Sequence, residues 1–86
     1  MGKKQEVMQG AAVPMRMILS YSRDYFKKHG YAPTLREIGE HTGLESTASV
    51  KYYMDKLYDE GMIESEHRGF PRAFRISQKG LLSLNP

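Results

Sequence analysis

The sequence predicts an α+β domain: three helices followed by a two-stranded β-hairpin. Three observations carry that reading. Apolar residues recur at helical spacing in three stretches before Gly61. Each stretch is bounded by cap or breaker residues. After Gly61 the pattern changes to two short strand-like runs around a turn that holds Gly69 and Pro71. With 86 residues there is room for one domain and one modest core, burying roughly 60% of the unfolded chain's surface.

Residues 1–12 are polar and small, with Gly2 and Gly10, and read as a flexible N-terminal arm. The first helix is expected over about 14–29. Pro14 suits a first turn, where its missing N–H is harmless. Met15, Ile18, Leu19, Tyr25 and Phe26 then form one stripe, interrupted only by Ser22. Lys27 and Lys28 suit the last turn, and Gly30 the C-cap. Pro33 forces the preceding residue toward an extended conformation.

Thr34 and Glu37 then have the spacing of a capping box, which opens a second helix over 34–42. Its short apolar face holds Leu35 and Ile38, with His41 a candidate third member. Gly39 lies mid-helix at a cost of about 1 kcal/mol relative to Ala, which points to close approach of another helix. Gly43 ends this helix. Ser46 or Thr47 caps the third, expected over 46–60, with Val50, Met54 and Leu57 on its core face. Tyr53 fits either the core or the surface. Met62–Ser65 and Ala73–Ile76 are the two expected strands. The intended division is an arm at 1–12, a folded unit at 13–76 and a C-terminal extension at 77–86, whose Leu81 and Leu82 can dock or hang free.

The composition closes off several function classes. Hydrophobic residues make up 40%, enough for a globular core. Cysteine is absent, which excludes disulfides and thiolate metal sites. His29, His41 and His67 lack zinc-finger or HExxH spacing, so neither metal nor cofactor is expected. No apolar run approaches the ~20 residues of a membrane span. The basic start has no apolar signal core behind it, and Glu6 stands where a myristoylation motif needs Ser or Thr. A cytoplasmic protein is the expectation. Catalysis would need acid, base or nucleophile groups converging on a pocket. Asp24, Glu37 and His41 are the available set, but on the expected helices they read as solvated faces, so no enzyme is expected.

Net charge is +3, and its distribution is uneven. Residues 1–30 hold six Lys/Arg against two Asp/Glu, residues 31–65 three against seven, and residues 66–86 four against one. Basic ends around an acidic middle place expected phosphate contacts on the flanks.

A short helix, a Gly-containing turn and a longer helix make a helix-turn-helix, and the hairpin adds a wing. In such a winged helix-turn-helix the second helix of the pair enters the DNA major groove, which displays a distinct edge for every base pair. The residues that reach deepest here are Ser46, Thr47, Ala48 and Ser49, then Lys51 and Tyr52 on the exposed side. Hydroxyls can bond bases or phosphates, Lys51 can donate to guanine or phosphate, and Ala48 and the Thr47 methyl can meet a thymine methyl. Ser46 and Thr47 can cap the helix at the same time. Arg68 and Arg72 at the hairpin tip are candidate phosphate contacts. Arg72 follows Pro71 on a stiff segment, so gripping a phosphate would lose little entropy. Arg36, beside the second helix's cap, completes the candidate DNA-binding set.

Several motifs recur in order across residues 12–76. Gly30-Tyr31-Ala32-Pro33-Thr34-Leu35-Arg36-Glu37-Ile38-Gly39-Glu40 resembles the "GYPPTxxEIG" segment of the LexA family. Gly43-Leu44-Glu45-Ser46-Thr47-Ala48-Ser49-Val50 resembles the family's following turn and recognition-helix start. Pro71-Arg72-Ala73-Phe74-Arg75-Ile76 resembles its "PRAxxI" strand. The resemblance implies sequence-specific binding to double-stranded operator DNA and repressor-like transcriptional control. By position it implies Ser46, Ala48, Ser49, Lys51 and Tyr52 as the base-facing set, with backbone contacts from the wing and the first-helix region. A homodimer on a palindromic site is the expected assembly, since specific binding usually takes two half-sites.

LexA proteins continue into a self-cleaving peptidase domain with a Ser-Lys dyad. The sequence stops at Pro86, so that activity and its dimerisation are expected to be absent. Its tail, Leu81-Leu82-Ser83-Leu84-Asn85-Pro86, favours a stand-alone regulator from a phage or mobile element over a fragment. The alternative function is a winged-helix protein-interaction module that modulates another regulator, to which the acidic middle segment and Tyr52 and Tyr58 lend support.

Overall fold

The computed structural model describes the backbone of residues 2–85 and the side chains of residues 12–85. The elements run α1 (Gly2–His29), α2 (Leu35–Thr42), α3 (Thr47–Asp59), β1 (Ile63–Glu64), β2 (Arg75–Ile76) and α4 (Gln78–Ser83). The expected architecture of three main helices and an antiparallel hairpin is present, with a fourth short helix after it.

α1 starts at Gly2 rather than near Pro14, which lies inside it. Interior proline removes one helical hydrogen bond, at about 3 kcal/mol. The residues ahead of it include Lys3, Lys4, Gln5, Glu6, Met8, Ala11 and Ala12, all strong helix formers, so the helical preference continues across the break. Met15, Ile18, Leu19 and Ser22 are buried as their spacing implies. Phe26, expected in the same stripe, is 49% exposed. It has moved past the end of the core to the rim of an apolar groove shared with Phe74, Ile76 and Leu81.

α2 opens with the expected capping box. The Glu37 amide donates to the Thr34 hydroxyl (3.1 Å), and the Thr34 amide donates to the Glu37 carboxylate (2.8 Å). Such a cap contributes about 1 kcal/mol. Ile38 and Gly39 are buried, whereas His41 is exposed and stacks on the Tyr21 ring at 4.1 Å between centroids. The close approach at Gly39 is real: a Cβ there would sit 3.3 Å from both the Leu44 carbonyl oxygen and Val50 Cγ2. The short turn between α2 and α3 depends on that contact.

Ser46 caps α3 by accepting from the Ser49 amide (3.1 Å). Val50, Met54 and Leu57 face inward, and Tyr53 is half-buried against the same cluster. α1, α2 and α3 pack on one another around Ile18, Ile38, Val50 and Leu57, each fully buried. Burial of each such side chain contributes about 1.5–3 kcal/mol.

The hairpin pairs Ile63 with Ile76 and Glu64 with Arg75. Ladder pairing covers less than the expected Met62–Ser65 and Ala73–Ile76 runs, because the segment between them folds as successive turns. Ser65 Oγ donates across the hairpin to the Ala73 carbonyl (2.7 Å), and the cross-strand pair Arg75–Glu64 closes at 3.0 Å. α4 then docks on α1 and β2. Ser77 caps it, Leu84 is buried, and Arg16 on α1 donates to the Ser83 carbonyl (3.0 Å). Among the described residues no helix is long and apolar enough to cross a membrane.

Candidate nucleic-acid interface

Because α3 buries Val50, Met54 and Leu57, Ala48 and Tyr52 lie on the opposite side and Lys51 on the flank, while Thr47 is exposed as the helix's first residue. Thr47, Ala48, Lys51 and Tyr52 are exposed, Tyr52 at 57%. Ser46 is also exposed, at the N-terminus of the helix. Ser49 is only half-exposed: its hydroxyl accepts from that of Ser46 (3.2 Å), so the two form a small polar tip. Tyr52 packs edge-on to Tyr53 and carries the Lys56 ammonium 5.0 Å above its ring, which restricts its swing.

A groove of about 670 Å³ runs along this face, between the start of α2, α3 and the wing. Thr34, Leu35 and Arg36 form one wall, Lys51, Asp55 and Tyr58 the floor, and Arg68 to Arg72 the other wall. Thus Arg36, Lys51, Arg68 and Arg72, from three separate stretches of sequence, border one groove, whereas Ser46, Thr47, Ala48, Ser49 and Tyr52 do not line it.

The charges there are largely paired. Arg36 reaches Glu40 at 3.6 Å, with both side chains well exposed. Arg68 pairs with Asp55 at 3.0 Å, and its Cζ lies 3.9 Å from the Tyr58 ring centroid. Burial pushes the Tyr58 hydroxyl above its usual pKa of 10.0. Exposed pairs of this kind contribute about 0–1 kcal/mol, so these arginines can exchange a carboxylate for a phosphate at little expense. Lys51 carries no ion pair among the described residues.

Arg72 is placed differently. Its guanidinium is turned inward, beneath the wing, instead of pointing off the tip. Nη1 donates to Tyr25 Oη (2.9 Å) and to the Ala32 carbonyl (3.0 Å), and the Glu37 carboxylate lies 3.1 Å away. Tyr25 Oη in turn donates to Glu37 Oε2 (3.0 Å). Glu37 therefore caps α2 and holds the wing together. The Thr34 amide, then the Tyr25 hydroxyl and Arg72, bring its carboxyl from 4.5 down to about 2, against an opposing effect of burial. Arg72 also has φ +60, in the left-handed region. A non-glycine residue there costs roughly 1–2 kcal/mol.

Sequence reasoning had assigned Glu37 its cap and Tyr25 its stripe, but not their shared partner. No local signal pairs residues 35 and 47 positions apart. Asp55, which holds Arg68, was likewise missed, although its i+4 spacing from Lys51 places it on the outward face of α3. The three groups weighed as catalytic go to three different partners: Asp24 to Arg23, Glu37 to Arg72 and His41 to Tyr21.

The comparisons with known proteins agree with this geometry. Residues 8–73 match the family described as the LexA DNA binding domain. The chain is 40% identical over 67 residues to the LexA repressor of Oenococcus oeni, covering 78% of this chain and 31% of that protein. It is 38% identical over 64 residues to the LexA repressor of Limosilactobacillus reuteri (74% and 30%). To the LexA repressor of a Nocardioides species it is 35% identical over 68 residues (78% and 27%). The chain thus spans about three-tenths of the length of these relatives, matching one region of each. The match covers α1 from residue 8, α2, α3, β1 and the wing up to Ala73, the segment that supplies all of the groove's lining but Phe74, and on that ground the chain belongs to the LexA DNA-binding domain family, a family of winged helix-turn-helix DNA-binding domains.

Proposed function

We propose that this chain acts as a sequence-specific repressor of transcription in the cytoplasm, with residues 13–76 as the DNA-binding unit. The observation that carries the reading is the exposed face of α3. Ala48, Lys51 and Tyr52 are exposed beside Thr47 and the polar tip of Ser46 and Ser49, on a helix whose opposite face is locked into the core. A base-reading element has to be exposed and rigid at once, since positioning error is lost specificity. These six residues read base edges in the major groove. Arg36 and Arg68, on either wall of the groove, contact phosphates, exchanging Glu40 and Asp55 for the DNA backbone. The Arg72 end of the wing supports that wall.

One recognition helix covers one half-site. Two copies on a palindrome, as a homodimer, give the contact set that specific repression needs. Selection of bound sequences from a random duplex library tests the whole reading. An enriched palindrome is the expected result. Recovery of unselected duplexes, with binding that depends on salt alone, would refute sequence-specific control.

A further inference from the structure

Ile63 and Phe74 anchor the base of the wing in the core, but its tip, residues 66–72, has little of its own to hold it in place. Its ladder is two residue pairs long, and isolated two-stranded hairpins are marginal in water. Its contact with α3 through Arg68 and Asp55 is half-exposed on both sides. The Arg72 contact is the tighter one: both side chains are about one-third exposed, and the guanidinium is held from three directions. It also lies over the Tyr31 ring, 4.8 Å from its centroid. The left-handed backbone at Arg72 is what turns the side chain back under the wing.

We propose that Arg72 is a positioning residue, a latch that sets the wing's distance from α3 by acting through Glu37 and Tyr25, and that it does not contact DNA. This deepens the proposed function and rests on it. Glu37 makes the coupling specific. The carboxylate that closes the N-terminus of α2 also receives the wing, so the first helix of the helix-turn-helix and the wing share one anion. A wing located by this latch holds Arg68 over the groove in a fixed place. A released wing keeps its charge but loses its register.

The geometry separates the latch from a phosphate contact. Lysine keeps the charge, which suffices for phosphate, but cannot fork to Tyr25, Ala32 and Glu37 together. Glutamine at position 37 still completes a capping box but offers no anion. Arg72→Lys, Arg72→Ala, Glu37→Gln and the double variant Arg72→Ala/Glu37→Gln are compared in the full chain, at a temperature where melting shows each to be folded. Affinity for the selected site is titrated over a range of salt. Because the chain has no cysteine, nitroxide labels at Glu45→Cys and Phe70→Cys report the wing's position by dipolar spectroscopy.

The latch predicts that all three single variants lose affinity by a similar factor, roughly tenfold, the size of one charge-assisted bond. The double variant should be no weaker than either single. The salt slope should stay that of wild type, and the label distances should broaden in each variant. The proposal is overturned if Arg72→Lys binds like wild type while Arg72→Ala flattens the slope by about 0.9. It is also overturned if Glu37→Gln is silent, or if the label distances stay sharp. If the wild-type chain selects no duplex, the DNA reading fails. The label distances still decide whether Arg72 and Glu37 locate the wing.

Discussion

Gly80 gives the sharpest test of how the last helix is held. It lies in α4, is buried, and has an ordinary helical backbone, so alanine is conformationally allowed there. By propensity alone Gly80→Ala should stabilise by about 1 kcal/mol. Packing opposes this. A Cβ at Gly80 would collide with the Met62 carbonyl oxygen and lie 2.7 Å from Ile76 Cγ2. The isoleucine methyl can rotate away, but the carbonyl belongs to the backbone and accepts from the Ser77 amide (2.9 Å). The helix must therefore lift off the hairpin. Lifting it exposes Leu84 and strains the Arg16 bond to Ser83. Exposing one leucine costs about 1.5–3 kcal/mol, and an overpacked site typically costs about 1–3 kcal/mol. Net of propensity, a loss of about 1–3 kcal/mol is expected, a fall in Tm of roughly 5–20 °C for a domain this size. Thermal melting followed by circular dichroism measures it. Leu82→Ala, at a site 60% exposed, is the control and should leave Tm unchanged. A Gly80→Ala chain that melts at or above the wild-type temperature would refute the packing argument and show that α4 is not part of the cooperative unit.

Three further outcomes are expected. Ser22 is buried, and its hydroxyl has no hydrogen-bond partner among the described residues. Ser22→Ala should raise stability by about 1 kcal/mol, from relief of that group and from helix propensity, readable as a higher urea midpoint at unchanged slope. Lys51→Ala should keep Tm within the roughly ±0.5 kcal/mol typical of surface changes, while losing about 1–3 kcal/mol of discrimination at one or two base positions if it reads a base edge. A loss spread evenly over all sequences would assign it to phosphate instead. For pH, the folded Glu37 carboxyl titrates at about 2 against 4.5 for the free group. A depressed value means stabilisation that is complete above about 4.5 and lost as pH falls from there toward 2. Glu37→Gln should therefore flatten the acid side of the stability profile within that window and leave its shape near neutrality alone. An unaltered acid limb would contradict the stabilisation of the Glu37 carboxylate by Thr34, Tyr25 and Arg72 together.

The legible part of this protein is what short-range chemistry decides. The Thr34–Glu37 box, the Ser46 cap and the stripes of Val50, Met54 and Leu57 involve residues three or four apart, and a helix brings such residues together whatever the rest of the chain does. Once those helices have buried their apolar sides, the outward face of α3 follows with no further information, so the candidate base-reading residues were open to inference from the sequence. α1 extends beyond its expected start because Pro14 does not act as a boundary: the helix formers on its N-terminal side outweigh one lost bond. Phe26 has the right spacing for the core but lies beyond its edge, and spacing cannot report where a neighbouring helix ends.

Arg72 shows where sequence reasoning stops. Its charge and its place after Pro71 could be read directly, and both suggested an exposed tip. The direction of its side chain depends on a left-handed backbone at that one residue. It depends equally on a carboxylate, a phenol and a carbonyl brought together from α1, α2 and the segment between them. The docking of α4 is of the same kind, since it turns on the space between Gly80 and the Met62 carbonyl. The caps of α2 and α3 and the faces those helices bury are legible in the chain because they rest on local free energies repeated every turn. Which charges meet across the wing is settled by the fold, because an ion pair between residues 37 and 72 exists only after the intervening chain has folded to place them within 3.1 Å.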